Sequence, residues 1–257
     1  VLLFPEDPHE CFEHSAVALD LADRLQTPVF VMTDLDIGMN QRLCEPFEWD
    51  DARAYDPGKV MTAEALEAGR DFGRYKDVDG DGIPWRTLPG THPTKGSYFT
   101  RGTTRNPYAQ YSERGPDYIY NVERLLKKFA TAATLVPQPV VRAARQTTPL
   151  GVIYFGSTSP AMVEALDALA GDGVHIDAMR LRAFPFPASV RAFIDAHERV
   201  FVVEQNRDGQ MHSLLVNELD VSPAQLVRVR HFDGTPITAR FITQAIMSHV
   251  QAKETAQ

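Results

Sequence analysis

Short unbroken apolar runs alternate with stretches of helical period at both ends of the chain, and a long segment with neither pattern lies between them. Residues 1–4, Val-Leu-Leu-Phe, have the uninterrupted apolarity of a buried strand. Asp7-Pro8-His9-Glu10 follows as a helix start, with Asp7 as N-cap, Pro8 at the first helical position and Glu10 placed to close a capping box. Cys11, Ala18, Leu21, Ala22 and Leu25 then recur at helical spacing up to Thr27-Pro28, and 29–32 is a second apolar run. This predicts strand–helix–strand, the crossover unit of a parallel sheet, whose two strands are too few to enclose a core.

The far end is more regular. Strands are predicted over 151–155, 176–181, 200–203 and 226–229. Helices are predicted between Ser159-Pro160 and Gly171, and over 188–196, 209–219 and 238–250. The alternation predicts a compact parallel α/β domain with its own core. Upstream of it, Tyr118, Val122, Leu125, Phe129 and Ala133 mark the inward face of an amphipathic helix over 117–135, with Arg124, Lys127 and Lys128 on the solvent side. Pro137 and Pro139 stop that helix, and 142–148 reads as linker. A short helix capped by Thr62 is expected over 62–70. The stretch 71–106 has no period, is rich in glycine and proline, and carries Phe72, Tyr75, Trp85, Tyr98 and Phe99. Those aromatics argue against disorder, so it reads as an ordered surface loop system that docks onto a partner. The pattern divides the chain at 1–40, 41–147 and 148–257.

Composition narrows the functional classes. The 257 residues carry a formal charge of −8, which excludes the dominant basic face that nucleic-acid binding requires. No apolar run reaches the length of a membrane span. The opening apolar residues are followed at once by Glu6, Asp7 and His9, unlike a signal peptide. Two cysteines, Cys11 and Cys44, make neither a disulfide framework nor a thiolate-ligated cluster, which fits a reducing cytoplasm. Val1 already lies within an expected strand, the pattern of a fragment of a longer polypeptide.

Familiar catalytic signatures are missing: there is no GxGxxG, GxxxxGK, GxSxG or HExxH, and Ser157 after Gly156 has no nucleophile elbow around it. The candidates are therefore positional. Asp34, Asp36 and Asn40 follow the second strand, at the carboxyl edge where parallel sheets bind ligands; they are either ligand-adjacent or a polar loop. Asp77, Asp79 and Asp81, with Gly82 at the sixth place, resemble half of a calcium loop. The twelfth place is Leu88 rather than glutamate, so the choice is between a weak calcium or magnesium site and a solvated aspartate turn. Glu204, Asn206, Gly209 and Gln210 leave a strand and enter a helix, where free N–H groups hold anions; a plain strand-to-helix turn explains them as well. Arg101 and Thr103, beside Tyr98 and Phe99, suit either a carboxylate clamp or a subunit interface, and the interface is preferred.

Five stretches together resemble the alpha subunit of 2-oxoacid:ferredoxin oxidoreductases, most closely the 2-oxoglutarate type. They are QTPVFVMTDLDIGMN (26–40), FGRYKDVDGDGIPWRTLPGT (72–91), YFTRGT (98–103), VFVVEQNRDGQM (200–211) and PITARFI (236–242). The resemblance implies that 1–40 is the end of a thiamine-diphosphate pyrimidine-binding domain, that 41–147 is a connecting region with interface loops, and that 148–257 is a parallel-sheet transketolase C-terminal-like domain. It further implies a beta subunit that holds thiamine diphosphate, Mg2+ and a [4Fe-4S] cluster. The reaction implied is the CoA-dependent oxidative decarboxylation of a 2-oxoacid, giving acyl-CoA, CO2 and reduced ferredoxin, in a heterodimer or a dimer of heterodimers. The family's Tyr-Pro-Ile-Thr-Pro segment, its pyrimidine glutamate and its substrate arginine are not in this sequence; their expected place is before Val1. Relatives continue YFTRGT with Gly-His, where this chain has Thr104-Arg105. No catalytic residue of the family is therefore carried onto a position here. The reading from another class is a non-catalytic assembly or binding subunit built from the same domains.

Overall fold

The computed structural model describes residues 1–254, with side chains up to Gln251. Contacts divide the chain into two compact units that do not follow sequence order. One comprises Val1, Val17–Val29 and Trp49–Leu135; the other comprises Leu2–Ala16, Phe30–Glu48 and Val136–Gln257. Residues 1–40 are thus shared between them.

The second unit is built on a sheet of order β3-β5-β4-β7-β8: β3 (Val140–Arg142), β4 (Leu150–Phe155), β5 (Asp177–Leu181), β7 (Arg199–Glu204) and β8 (Leu226–Arg230). Four strands are parallel, as their continuous apolar runs predict, and β3 pairs antiparallel with β5 at the edge. The edge strand lies partly in what reads as linker. Val140, Val141 and Arg142 are all exposed, so they carry little burial pattern. Alternate residues of each inner strand face opposite layers. Val152, Phe201 and Val203 pack with Met162 and Leu169 of α5 (Ser159–Gly171) and Ile242 and Ile246 of α8 (Ala239–Glu254). Ile153, Val200 and Val202 pack with Val190 and Ile194 of α6 (Ala188–Asp195) and Leu215 of α7 (Gln210–Leu219). The α/β class with a parallel sheet is as expected.

The opening crossover also forms. β1 (Leu2–Leu3) and β2 (Phe30–Val31) pair in parallel around α1 (Pro8–Leu25). A third strand, β6 (Ala183–Phe184), joins β1 antiparallel, so this small sheet is β2-β1-β6. Glu10 departs from a simple capping box. Its N–H donates to Asp7 Oδ1 at 2.7 Å, but its own carboxylate accepts from the Glu6 N–H at 3.0 Å and from arginines of the sheet. Arg180 donates to both Glu10 oxygens at 2.7 and 2.9 Å, and Arg182 adds a bond of 2.9 Å. These charges fix α1 against β5 and the segment leading into β6.

The first unit holds α3 (Ala63–Glu67), capped by Thr62 as expected, and α4 (Gly115–Leu135). Here most of the α4 face is the reverse of the sequence expectation, though Lys127 is exposed as expected. Arg124, Lys128 and Ala132 are buried, whereas Tyr118, Val122, Leu125, Leu126 and Phe129 are exposed. The cause is the aspartate loop, which lies flat on the polar face. Gly82 is so close that a Cβ there would sit 2.3 Å from the Lys128 nitrogen and 2.5 Å from the Arg124 carbonyl. Arg124 donates to the Gly82 carbonyl at 3.0 Å and Thr131 to the Asp81 carbonyl at 2.8 Å. Loop carbonyls need donors, so the helix offers its polar side to them. Among the described residues no helix is long and apolar enough to cross a membrane.

Candidate functional site

The chain order around β4 creates a natural crevice. From β4 the chain crosses to β5 on one side, and from β5 it returns past β4 to β7 on the other. Where connections diverge like this, helices leave on opposite faces and the carboxyl ends of the two central strands stand uncovered. Gly156–Thr158, a turn of 3-10 helix, follows β4, and Gln205 follows β7. Gly156 adopts φ +60°, which turns the chain sharply off the strand and presents Ser157 at the crevice.

Asp34 meets them from the end of β2. Its Oδ1 caps α2 (Leu35–Gly38) by accepting from the Ile37 N–H at 3.1 Å. Its Oδ2 accepts from the Ser157 hydroxyl at 2.5 Å. The Gln205 amide donates to the Ser157 oxygen at 2.9 Å and to the Thr158 hydroxyl at 3.3 Å. A carboxylate, a hydroxyl and an amide therefore form one chain across three strand ends. Beside them is a cavity of about 630 Å³ lined by Asp36, Asn40, Arg42, Ser157, Pro236 and Ile237, among others. Partial burial raises the Asp36 carboxyl, and the nearby Asp34 charge adds to this, against a smaller opposing effect of His231. Arg42 donates to the Glu6 carbonyl at 3.0 Å, which ties the cavity wall to the start of α1.

The structure thus brings Asp34, Asp36 and Asn40 to one crevice. It also brings there Ser157, set aside in the sequence for want of a nucleophile elbow, Gln205, from the stretch after β7, and Arg42, which no sequence pattern marked. Gly156-Ser157 directly after an apolar run was the available signal for the first.

Glu204, Asn206, Gly209 and Gln210 do something else. Glu204 is fully buried and accepts from the Met211 N–H at 2.8 Å, the His212 N–H at 3.2 Å and the Asn206 amide at 2.7 Å. Asn206 Oδ1 accepts from the N–H groups of Gly209 and Gln210. Gly209 holds φ +67° as the cap of α7. These residues satisfy one another, so the N–H groups expected to meet an anion are occupied by Glu204 and Asn206. The plain strand-to-helix turn is the arrangement found.

The aspartates of the calcium-like loop also have other partners. Lys59 Nζ lies 2.8 Å from Asp79 and 2.7 Å from Asp81, so an ammonium takes the place that a bound cation would need. Asp79 also accepts from Trp85 Nε1 at 2.8 Å, and Asp77 from the Gly80 N–H at 2.9 Å. Among the described residues no group of three histidine, cysteine or acidic side chains could hold a metal ion. Trp85 is stacked under the Arg70 guanidinium, 3.9 Å from its ring centre. Arg101 and Thr103 are exposed.

A diphosphate with magnesium needs converging carboxylates and amides, and an iron–sulfur cluster needs several thiolates. Among the described residues no group of three histidine, cysteine or acidic side chains that could hold a metal ion is present, and the free cysteines are Cys11, half-buried, and Cys44, exposed.

No family model matches the chain. The 2-oxoacid:ferredoxin oxidoreductase 2 alpha subunit of Aeropyrum pernix is 24% identical over 260 residues, spanning 99% of this chain and 39% of that protein. The 2-oxoacid:ferredoxin oxidoreductase alpha subunit of Saccharolobus solfataricus is 23% identical over 261 residues, with the same shares. The chain therefore spans about two fifths of the length of these relatives. Its fold is shared with the 2-oxoglutarate:ferredoxin oxidoreductase of Magnetococcus marinus, solved with 2-oxoglutarate, coenzyme A and succinyl-CoA bound. There the TM-score is 0.74 at 20% identity, over 96% of this chain and 42% of that one. Along almost its whole length, this chain resembles part of the alpha subunit of the 2-oxoacid:ferredoxin oxidoreductases.

Proposed function

We propose that the chain is part of the alpha subunit of a 2-oxoacid:ferredoxin oxidoreductase, with 2-oxoglutarate as substrate and CoA as acyl acceptor. The observation that carries this reading is the end-to-end similarity to two curated alpha subunits. In this reading 1–40 is the end of a pyrimidine-binding domain and 148–257 a transketolase C-terminal-like domain. The carboxyl-edge crevice of Asp34, Ser157 and Gln205 then has a positioning role. Its linked bonds hold the loop after β2 in register with the strand ends of the large sheet. In this reading thiamine diphosphate, its Mg2+ and a [4Fe-4S] cluster would be held mainly by a beta subunit, and the two free cysteines of this chain, Cys11 and Cys44, are too few to ligate such a cluster. When bound, thiamine supplies the carbanion chemistry of decarboxylation and the cluster accepts the electrons. This chain contributes walls and interfaces, and by itself is expected to be inactive.

The test is to tag the chain in its native cell and purify what assembles with it. Co-purification of a second subunit with thiamine diphosphate and about four iron atoms per cluster, by metal analysis, supports the proposal. A preparation with neither thiamine nor iron would favour the non-catalytic assembly subunit.

A further inference from the structure

Four cationic side chains gather in the first unit without a carboxylate of their own. The guanidinium carbons of Arg105, Arg74 and Arg124 lie 5.0, 5.5 and 5.8 Å from the centre of the Tyr75 ring. Arg74 also lies 5.8 Å from the Tyr98 ring. Lys128 is close enough to Arg124 and Arg74 to feel both charges. Arg124 and Lys128 are only 8% and 6% exposed. Among the described residues, none of the four forms an ion pair; Asp77, whose charge reaches Arg124, is held by Lys127 at 3.3 Å.

Buried like charges are unfavourable unless something negative offsets them. Lysine can respond by losing its proton. Burial, with Arg124 and Arg74 adding to it, brings Lys128 down to about 8. A guanidinium has no such escape at ordinary pH. The hydrogen-bonding capacity of the arginines is also unspent. Arg124 donates one bond to the Gly82 carbonyl and Arg105 one to the Gly102 carbonyl, while the buried Nε of each has no partner. The ring faces of Tyr75 and Tyr98 attract cations, which explains why the side chains stand there, but a neutral ring does not cancel their charge.

We propose that Arg74, Arg105 and Arg124, gathered around Tyr75, form a binding site for a small multivalent oxyanion. Several forked donors standing around one ring suit an oxygen-rich group carrying more than one charge, a phosphate or a polycarboxylate. Arg74 and Arg105 are half-buried, so a solvent-borne anion reaches them directly.

Calorimetric titration of the full chain at low ionic strength, with pyrophosphate and separately with citrate, tests this. Saturable binding of one anion per chain is expected. Arg74→Ala and Arg105→Ala should each weaken it about tenfold or more, as expected for loss of a charge-assisted bidentate contact. Arg207→Ala, at an exposed arginine already paired with Asp208, should leave it unchanged. Tighter pyrophosphate binding points to a phosphate ligand and tighter citrate binding to a carboxylate. Should an alanine variant fail the circular-dichroism check for folding, Arg105→Gln reads the same loss. The proposal is overturned if neither anion saturates, or if binding is indifferent to Arg74 and Arg105.

Discussion

Glu10 is the residue whose loss the fold should feel most clearly. Its side chain is 13% exposed, and that of its main partner Arg180 only 7%. Burial by itself would raise the Glu10 carboxyl, but the hydrogen bonds and charge of Arg180, with the charge of Arg182 and the Glu6 N–H, outweigh it and hold the group at about 2. Against an ordinary value near 4.5, that difference corresponds to about 3 kcal/mol at the usual conversion per pH unit. Removing one partner of a buried pair leaves the other uncompensated, which independently gives a few kcal/mol. Glu6 remains 3.0 Å from Arg180 and would soften the loss, so about 3 kcal/mol is the figure to test. Glu10→Gln should lower urea-unfolding stability by that amount at pH 7. The sign of the pH dependence is set by a depressed carboxylate. Wild-type stability from this group is complete above the unfolded value near 4.5 and is lost as pH falls through about 2. The variant should lack that slope. A loss under about 1 kcal/mol at pH 7, or the same acid profile in both proteins, would refute the reasoning.

Other expectations follow from the loop packed on α4 and from the crevice. Gly82→Ala places a Cβ against helix backbone at φ +78°, and should lower the melting temperature in a thermal scan by several degrees or prevent folding of the first unit. Lys128→Met should stabilise the chain by about 1–3 kcal/mol at pH 7 in chemical unfolding without multivalent anions. The folded lysine is charged below about 8, so wild-type stability should rise from pH 8 towards the unfolded value of 10.5, and the variant should show no such rise. Asp34→Ala removes both a helix cap and the Ser157 bond, and should speed hydrogen exchange at residues 35–38 while costing about 1–2 kcal/mol.

Much of the architecture was legible because its residues obey one period at a time. Val152, Ile153 and Phe201 sit in runs apolar on both faces, and the structure buries them in a parallel sheet. The helix at 117–135 was found but its orientation was not. Arg124 and Lys128 look like solvent-facing residues until the carbonyls of the aspartate loop are known to need their side of the helix. β6 was invisible, because two residues leave no pattern and only the partner Leu2–Leu3 defines them. Asp34, Asp36 and Asn40 were put forward from their place after a strand. Ser157 and Gln205 join them only through the order of strands, which no local pattern records. Glu204 read as a ligand candidate because its stretch leaves a strand and enters a helix start; its carboxylate accepts from the N–H groups of Met211 and His212.

The most direct measurement is turnover by the native assembly purified through this chain, with viologen dye as electron acceptor. The account predicts dye reduction that requires both 2-oxoglutarate and CoA and yields succinyl-CoA. An assembly that contains this chain, thiamine diphosphate and iron, yet reduces no dye with 2-oxoglutarate, pyruvate or other 2-oxoacids, would contradict it.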